Sequence, residues 1–262
     1  MLVMRRFLTL AGAIALGLMP PSASAAPREG HLVLAGGGAT PAVVFTRALD
    51  LSGGRRAIVA VLPQTYPNDS IGDAAVAMWK AMGVREVFKV SLADPVAARA
   101  ALDRATLIWI PGGFQGLFMK TIAGTLVPDE IRKRFADGAT IGGASAGAAA
   151  MSRTMIADES TPDGADAIGP GTDAGLALWP EAMVSPHFSE RLRLNPLLAL
   201  LRLHPDLLGV GIDEGTAVIV SGGELAVLGR GTVTIVQPPG AAVRTLKSGM
   251  RFRFAPVHRG AL

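Results

Sequence analysis

From His31 onward, short apolar runs alternate with stretches whose apolar residues recur at helical spacing. The pattern predicts strands over 31–35, 57–62, 84–90 and 106–111, and helices over about 41–51, 71–82, 95–104 and 127–135. A fifth strand, 139–142, runs into a small-residue helix predicted over 146–157. Strands that are apolar throughout, each followed by an amphipathic helix, predict a mostly parallel sheet covered on both faces.

The regular alternation stops at residue 158. Residues 158–175 are rich in Gly, Pro, Asp and Thr and show no period, which predicts a long loop at the rim of a site. Beyond it come a strand-like run over 182–188, a helix over about 190–203 and an apolar run over 208–213. The tail carries apolar segments at 216–220, 225–228 and 232–236, separated by Gly222-Gly223 and by Gly229 and Gly231, and these predict antiparallel hairpins.

The N-terminus changes the picture of where the protein works. Arg5 and Arg6 precede a short apolar core over 7–19, and Ala23-Ser24-Ala25 then offers a small-residue cleavage box. Residues 1–25 are expected to be a signal peptide, and residues 26–262 one large α/β domain, periplasmic or secreted. The competing expectation is a retained anchor, but the core is shorter than the roughly 20 apolar residues a span needs. Arg5 and Arg6 are the only charges in the leader. Of 25 basic and 21 acidic residues, 23 and 21 therefore remain without it. So slight a balance, with no basic run, points away from nucleic acid and from an anionic membrane. The chain has no cysteine, which excludes a thiol nucleophile and any thiolate metal site.

The candidate chemistry centres on Gly143-Ala144-Ser145-Ala146-Gly147, placed between a strand and a helix. A Gly-x-Ser-x-Gly there is the pattern of a nucleophile elbow, a turn so sharp that the flanking residues must be nearly free of side chain. Ser145 as an ordinary helix N-cap is the competing reading. A serine nucleophile needs a base, and only four histidines exist. His31 opens the first strand, His204 ends a helix and His258 lies in the tail; His187 alone sits between a strand-like run and a helix start. For the acid that orients the base, Asp213 and Glu214 end the apolar run Gly209-Val210-Gly211-Ile212. Period-two alternation turns them to opposite sides, so one of them faces the histidine. Asp158, Glu159 and Asp163 are rivals in the long loop. Donors for an oxyanion are sought at the Ala146 amide and in Pro111-Gly112-Gly113-Phe114-Gln115, where two glycines permit close backbone approach or simply a turn.

Taken in order, several stretches resemble the cyanophycinase and aspartyl dipeptidase (dipeptidase E) family of serine exopeptidases. They are Gly36-Gly37-Gly38, the Gly112-Gly113 loop with Gln115, Ser145-Ala146-Gly147-Ala148, His187-Phe188-Ser189-Glu190-Arg191-Leu192-Arg193, and Gly211-Ile212-Asp213-Glu214-Gly215-Thr216-Ala217. The two longer stretches look closer to cyanophycinase. The resemblance implies a three-layer α/β/α sandwich of the class I glutamine-amidotransferase-like type, with C-terminal hairpins. It implies Ser145 as nucleophile, His187 as base and Glu214 as orienting acid. It further implies oxyanion amides at Gly113 and Ala146, and substrate contacts at Gln115, Arg191 and Arg193. The implied substrate is cyanophycin or a similar aspartyl or β-aspartyl peptide, cleaved to β-Asp-Arg dipeptides without a cofactor, and the implied assembly is a homodimer.

The chain departs from that family at Ser185-Pro186, where Asp-Gln is usual, at Phe114, where an acid or amide is usual, and at Pro196. Each change alters the charge available to a substrate. Two further readings follow from other features. One is a binding protein that kept the fold and lost turnover. The other is a nucleotide site behind Gly36-Gly37-Gly38, disfavoured because the spacing is not G-x-G-x-x-G and no ribose-binding acid ends the second strand.

Overall fold

The computed structural model describes residues 29–157, 171–239 and 242–255. The first half builds the framework: β1 (Leu32–Ala35), α1 (Ala42–Leu51), β2 (Ile58–Val61), α2 (Ser70–Ala81), β3 (Glu86–Lys89), α3 (Pro95–Arg104), β4 (Leu107–Ile110), α4 (Gln115–Ile122), α5 (Val127–Ala136) and β5 (Thr140–Ala144). There follow α6 (Ala146–Ala149), β6 (Thr154–Ile156), β7 (Thr172–Ala174), β8 (Ala182–Pro186), α7 (Leu194–Leu203) and β9 (Leu208–Ile212). The last elements are β10 (Thr216–Ser221), β11 (Glu224–Gly229), β12 (Thr232–Gln237), β13 (Ala242–Lys247) and β14 (Arg251–Arg253).

An eight-stranded sheet runs in the order β14-β11-β10-β1-β5-β4-β2-β3. β1, β5, β4, β2 and β3 are parallel neighbours, while β10, β11 and β14 extend the sheet antiparallel beyond β1. Side chains that alternate along each strand divide two cores. Leu32, Leu34, Ile108 and Ile110 enter the core shared with α3, α4 and α5, where Leu102, Phe118, Ile122, Ile131 and Phe135 are buried. Val33, Ala35, Leu107 and Trp109 enter the opposite core, beneath Val44 and Ala48 of α1 and Trp79 of α2. Helices on both faces of a largely parallel sheet make the α/β/α layering expected from the alternation.

The helices start where local chemistry permits. Asp94 caps α3 by accepting from the amides of Val96 and Ala97, with Pro95 at the first helical position. Asp129 and Glu130 occupy the first turn of α5, and Lys133 and Arg134 its last, in the sense that favours the helix dipole.

A second, four-stranded sheet in the order β13-β12-β9-β8 corrects the expectation for the tail. β10 and β11 form the predicted hairpin around Gly222-Gly223. β12, however, leaves β11 and pairs with β9, so Gly229 and Gly231 mark a switch between sheets instead of a hairpin turn. In this sheet β8 and β9 are parallel, with Pro186 opposite Ile212. The run Leu208-Gly209-Val210-Gly211-Ile212 places its large residues on the first core and its glycines outward. A Cβ on Gly209 would stand 2.6 Å from Leu201 Cδ1, and one on Gly211 2.4 Å from the ring of Phe188. Glycine on that face is what lets α7 and Phe188 pack onto β9.

Two helix boundaries are also corrected. α6 is a single turn ending at Ala149, not a helix to 157, because β6 and β7 pair across Thr154 and Ala174. α7 begins at Leu194 instead of 190; residues 189–193 form turns. Most of the long loop, 158–170, lies outside the described residues, as do the expected signal peptide and His258. Among the described residues no helix is long and apolar enough to cross a membrane.

Candidate active site

Ser145 sits between the C-terminal end of β5 and α6 with φ 53° and ψ −113°, a conformation a non-glycine residue adopts only when its surroundings impose it. The surroundings are tight. A Cβ on Gly143 would lie 2.6 Å from the carbonyl carbon of Gly147, and one on Gly147 would lie 2.0 Å from the carbonyl oxygen of Ile110. The Ser145 amide donates to the Ala35 carbonyl of β1 at 2.9 Å, and its own carbonyl accepts from Ala148 and Ala149. The elbow is therefore fastened to the neighbouring strand before it and the helical turn after it.

His187 and Glu214 follow β8 and β9, two parallel neighbours, so both arrive at the same edge. Ser145 Oγ lies 2.7 Å from His187 Nε2, and His187 Nδ1 lies 2.6 Å from Glu214 Oε1. An ionised carboxylate can only accept, so Nδ1 carries the proton donated to Glu214. In the neutral imidazole Nε2 is then an acceptor, oriented for the Ser145 hydroxyl proton. His187 is 9% exposed, whereas the Glu214 side chain keeps 39% of its surface open, so the imidazole is the shielded member of this path.

The loop after β1 accommodates the pair. Gly37, at φ 99°, lies against the imidazole, and Gly38 lies against the Glu214 carboxylate, where a Cβ would stand 2.3 Å from Oε2. The carbonyl of Gly36 accepts from the His187 amide at 2.9 Å, and that of Gly37 from Gly215 at 3.0 Å. The triple glycine considered for a nucleotide instead forms the wall behind His187 and Glu214.

Asp213 turns away from the imidazole. Its Oδ1 accepts from the amide and hydroxyl of Ser189, and its Oδ2 from the amide and hydroxyl of Thr232. Burial acts to raise its pKa, but the hydroxyls of Ser189 and Thr232 and the two amides outweigh it and hold the carboxyl below its ordinary range. Of the two acids ending the run, Glu214 is the one that reaches His187. The loop rivals Asp158, Glu159 and Asp163 lie outside the described residues.

The Gly112–Gln115 loop borders the serine. A Cβ on Gly112 would lie 3.5 Å from Ser145 Cβ. Gly113, at φ 138°, passes so close to Thr65 that a Cβ would stand 2.2 Å from its carbonyl oxygen. That carbonyl accepts from the Phe114 amide at 2.8 Å, and the Thr65 hydroxyl donates to the Gly112 carbonyl at 2.7 Å. Thr65 thus fixes a loop that sequence reasoning left without a support. Ala146, as the first residue of α6, has no intrahelical acceptor for its amide. Gln115 opens α4 and donates from Nε2 to the Ile156 carbonyl at 3.1 Å. Phe114 stacks on Tyr66 with ring centroids 5.7 Å apart.

The two arginines separate. Arg191 is exposed, whereas Arg193 is buried and donates from Nη1 to the Pro186 carbonyl at 2.9 Å. Arg193 is therefore a brace between the turn and β8, not an open clamp for substrate. The departures at Ser185 and Pro186 lie inside β8, both buried. Of the remaining histidines, His31 precedes β1 at the opposite end of the sheet, and His204 caps the C-terminus of α7. Among the described residues no three His, Asp or Glu side chains cluster as a metal site would need.

A serine, an imidazole and a carboxylate joined at the strand ends of an α/β fold define a serine-type hydrolase. The model of peptidase family S51 matches residues 32–228, and the chain belongs to that family. It is 35% identical over 237 residues to a cyanophycinase of Synechococcus elongatus, covering 85% of this chain and 74% of the relative. It is 31% identical over 213 residues to peptidase E of Salmonella newport, covering 76% of this chain and 87% of the relative. Among solved structures, a peptidase from an acI-B1 actinobacterium superposes with a TM-score of 0.68 at 22% identity, over 87% of this chain and 98% of the other, which is a likeness of fold. The protein is a serine-type peptidase acting on peptide substrates, nearer by identity to cyanophycinase than to peptidase E.

Proposed function

We propose that the protein is an exported exopeptidase of cyanophycinase type, which hydrolyses aspartyl or β-aspartyl peptides through an acyl-enzyme on Ser145. The observation that carries this reading is the unbroken path Ser145–His187–Glu214, 2.7 and 2.6 Å long in its two steps. His187 Nε2 takes the Ser145 proton as Oγ attacks the scissile carbonyl. The amides of Gly113 and Ala146 receive the oxyanion of the tetrahedral intermediate. Its collapse breaks the C–N bond, the departing amine takes the proton from His187, and water repeats the sequence to free the acid and restore Ser145. Glu214 holds the imidazole in its tautomer and stabilises the imidazolium between those steps.

The aspartyl class rests on the relatives named cyanophycinase and on the stretches around His187 and Glu214. Gln115, beside the oxyanion loop, and exposed Arg191 are the side chains offered for substrate contact. Export rests on the leader of residues 1–25. Purified protein lacking the leader, incubated with cyanophycin, β-Asp-Arg and α-Asp dipeptides, is expected to release β-Asp-Arg from the polymer, with products read by mass. Turnover of α-Asp dipeptides alone would move the assignment to the peptidase E side. Turnover of none, with no labelling of Ser145 by a phosphonate, would leave a binding protein. N-terminal sequencing of protein from the producing cells is expected to begin at Ala26.

A further inference from the structure

The turn that carries His187 is not at rest by itself. His187 has φ 49° and Leu192 φ 52°, two side-chain-bearing residues in left-handed backbone within six positions. Phe188 packs into the core at its start, but Ser189, Glu190, Arg191 and Leu192 are exposed, and no core packing holds that part of the turn. What ties it down is polar. The Phe188 amide donates to the Ile212 carbonyl at 3.2 Å, and the Glu214 amide donates to Glu190 Oε2 at 3.2 Å. The Ser189 amide and hydroxyl donate to Asp213 Oδ1 at 3.1 and 2.6 Å.

Asp213 is the anchor of that set. It is 6% exposed, and its second oxygen is occupied by the Thr232 amide and hydroxyl at 2.9 and 2.6 Å at the start of β12. A buried carboxylate is costly unless its oxygens are satisfied, and four donors satisfy this one. Gly231 gives it room, since a Cβ there would stand 2.9 Å from Asp213 Cβ. The same dipeptide thus sends one carboxylate to the imidazole and the other to the backbone two residues beyond it.

We propose that Asp213 is a positioning residue that fastens the turn after His187 to the head of β12 and so keeps the imidazole aligned between Ser145 and Glu214. This rests on the catalytic roles proposed above for those three residues. Misplacement of a base by an ångström or so costs up to about 100-fold in turnover, while substrate affinity is spared.

Ser189 and Thr232 each give Asp213 one amide and one hydroxyl, but only Ser189 lies on the turn with His187. The full chain without its leader is compared as wild type, Asp213→Asn, Ser189→Ala and Thr232→Val. Expected are kcat losses of about tenfold or more in Asp213→Asn and Ser189→Ala with KM within about twofold, and near-normal kcat with lowered Tm in Thr232→Val. The downfield proton resonance of His187 Nδ1 is read alongside, expected sharp in wild type and Thr232→Val and exchange-broadened in the other two. Equal loss of kcat in Ser189→Ala and Thr232→Val, or an unchanged resonance and kcat in Ser189→Ala, overturns the proposal. Should Asp213→Asn fail to fold, the Ser189 and Thr232 pair still decides. If wild type cleaves no aspartyl peptide yet the resonances follow the expected pattern, the substrate reading fails and the positioning role stands.

Discussion

Gly37 lies so close to the face of His187 that a Cβ built on it would stand 2.4 Å from Cε1 and 2.6 Å from Nε2. The same loop carries the carbonyl that receives the His187 amide, and Gly38 next to it lies under Glu214. Ser145, for its part, hangs from Ala35, the last residue of β1. A single strand end therefore locates all three members of the array, which gives the glycines after β1 a structural reason of their own.

Gly37→Ala is expected to push the imidazole off its line to Ser145, with added strain because φ is 99°. Turnover should fall by about 100-fold with KM little changed, measured by steady-state kinetics on a cleavable aspartyl peptide. Circular dichroism should show the fold retained. Normal kcat in this variant would show that the loop yields and that the wall behind His187 is dispensable.

Ser145→Ala should remove hydrolysis by at least about 10⁴-fold while leaving the thermal transition in place, since among the described residues its hydroxyl bonds only to His187. Glu214→Gln keeps the shape but offers Nδ1 no assured acceptor, and a loss on the order of 10³-fold or more is expected. Phosphonate labelling rates measured on both variants would read the nucleophile directly. Rapid labelling of Ser145→Ala would place the reactive hydroxyl elsewhere.

The periodicity made the framework legible because β1, β2, β4 and β5 are buried on both faces and their helices carry one apolar stripe. It misled where tertiary partners overrule propensity. The run after Ser145 reads as helix, yet the carbonyls of Ala150 and Met151 are captured by Leu176 and Trp179. Gly229 and Gly231 read as a hairpin turn because local sequence says nothing about which sheet receives the next strand. At the site, strand ends were readable, but period two told only that Asp213 and Glu214 diverge. Gly36-Gly37-Gly38 announced a close approach without naming the imidazole that makes it. The support from Thr65 left no sequence signal, since one threonine in a turn is ordinary.

Gly211→Ala tests the packing beneath the histidine. Its Cβ would stand 2.4 Å from the ring of Phe188, which is 4% exposed and adjacent to His187. Overpacking of this kind costs about 1–3 kcal/mol. Urea unfolding should show that loss, and kcat should fall with it because the displaced ring pulls on His187. Val210→Ala, on the opposite face of the same strand, should lose comparable stability and keep kcat, which separates strand damage from displacement of the base.

Acid sensitivity supplies the remaining test. Asp213 has its pKa held below the ordinary 3.8, burial opposing and the Ser189 and Thr232 donors prevailing. A carboxylate with a depressed folded pKa adds stability above its unfolded pKa, and that addition disappears as pH falls through the folded value. The stability gap between wild type and Asp213→Asn should therefore be constant from neutrality down to about pH 5, and narrow below about pH 4. Glu224 is depressed too, by hydrogen bonds from Arg251 and Arg253, but those arginines are exposed. Its share should be small and vanish at high salt, whereas that of the buried Asp213 should persist. Unfolding curves for wild type, Asp213→Asn and Glu224→Gln across that range, at low and high salt, discriminate the two. A gap for Asp213→Asn that is independent of pH would mean that the carboxylate's charge contributes nothing, and that the loss comes from the amide nitrogen, which cannot accept from the two donors it would face.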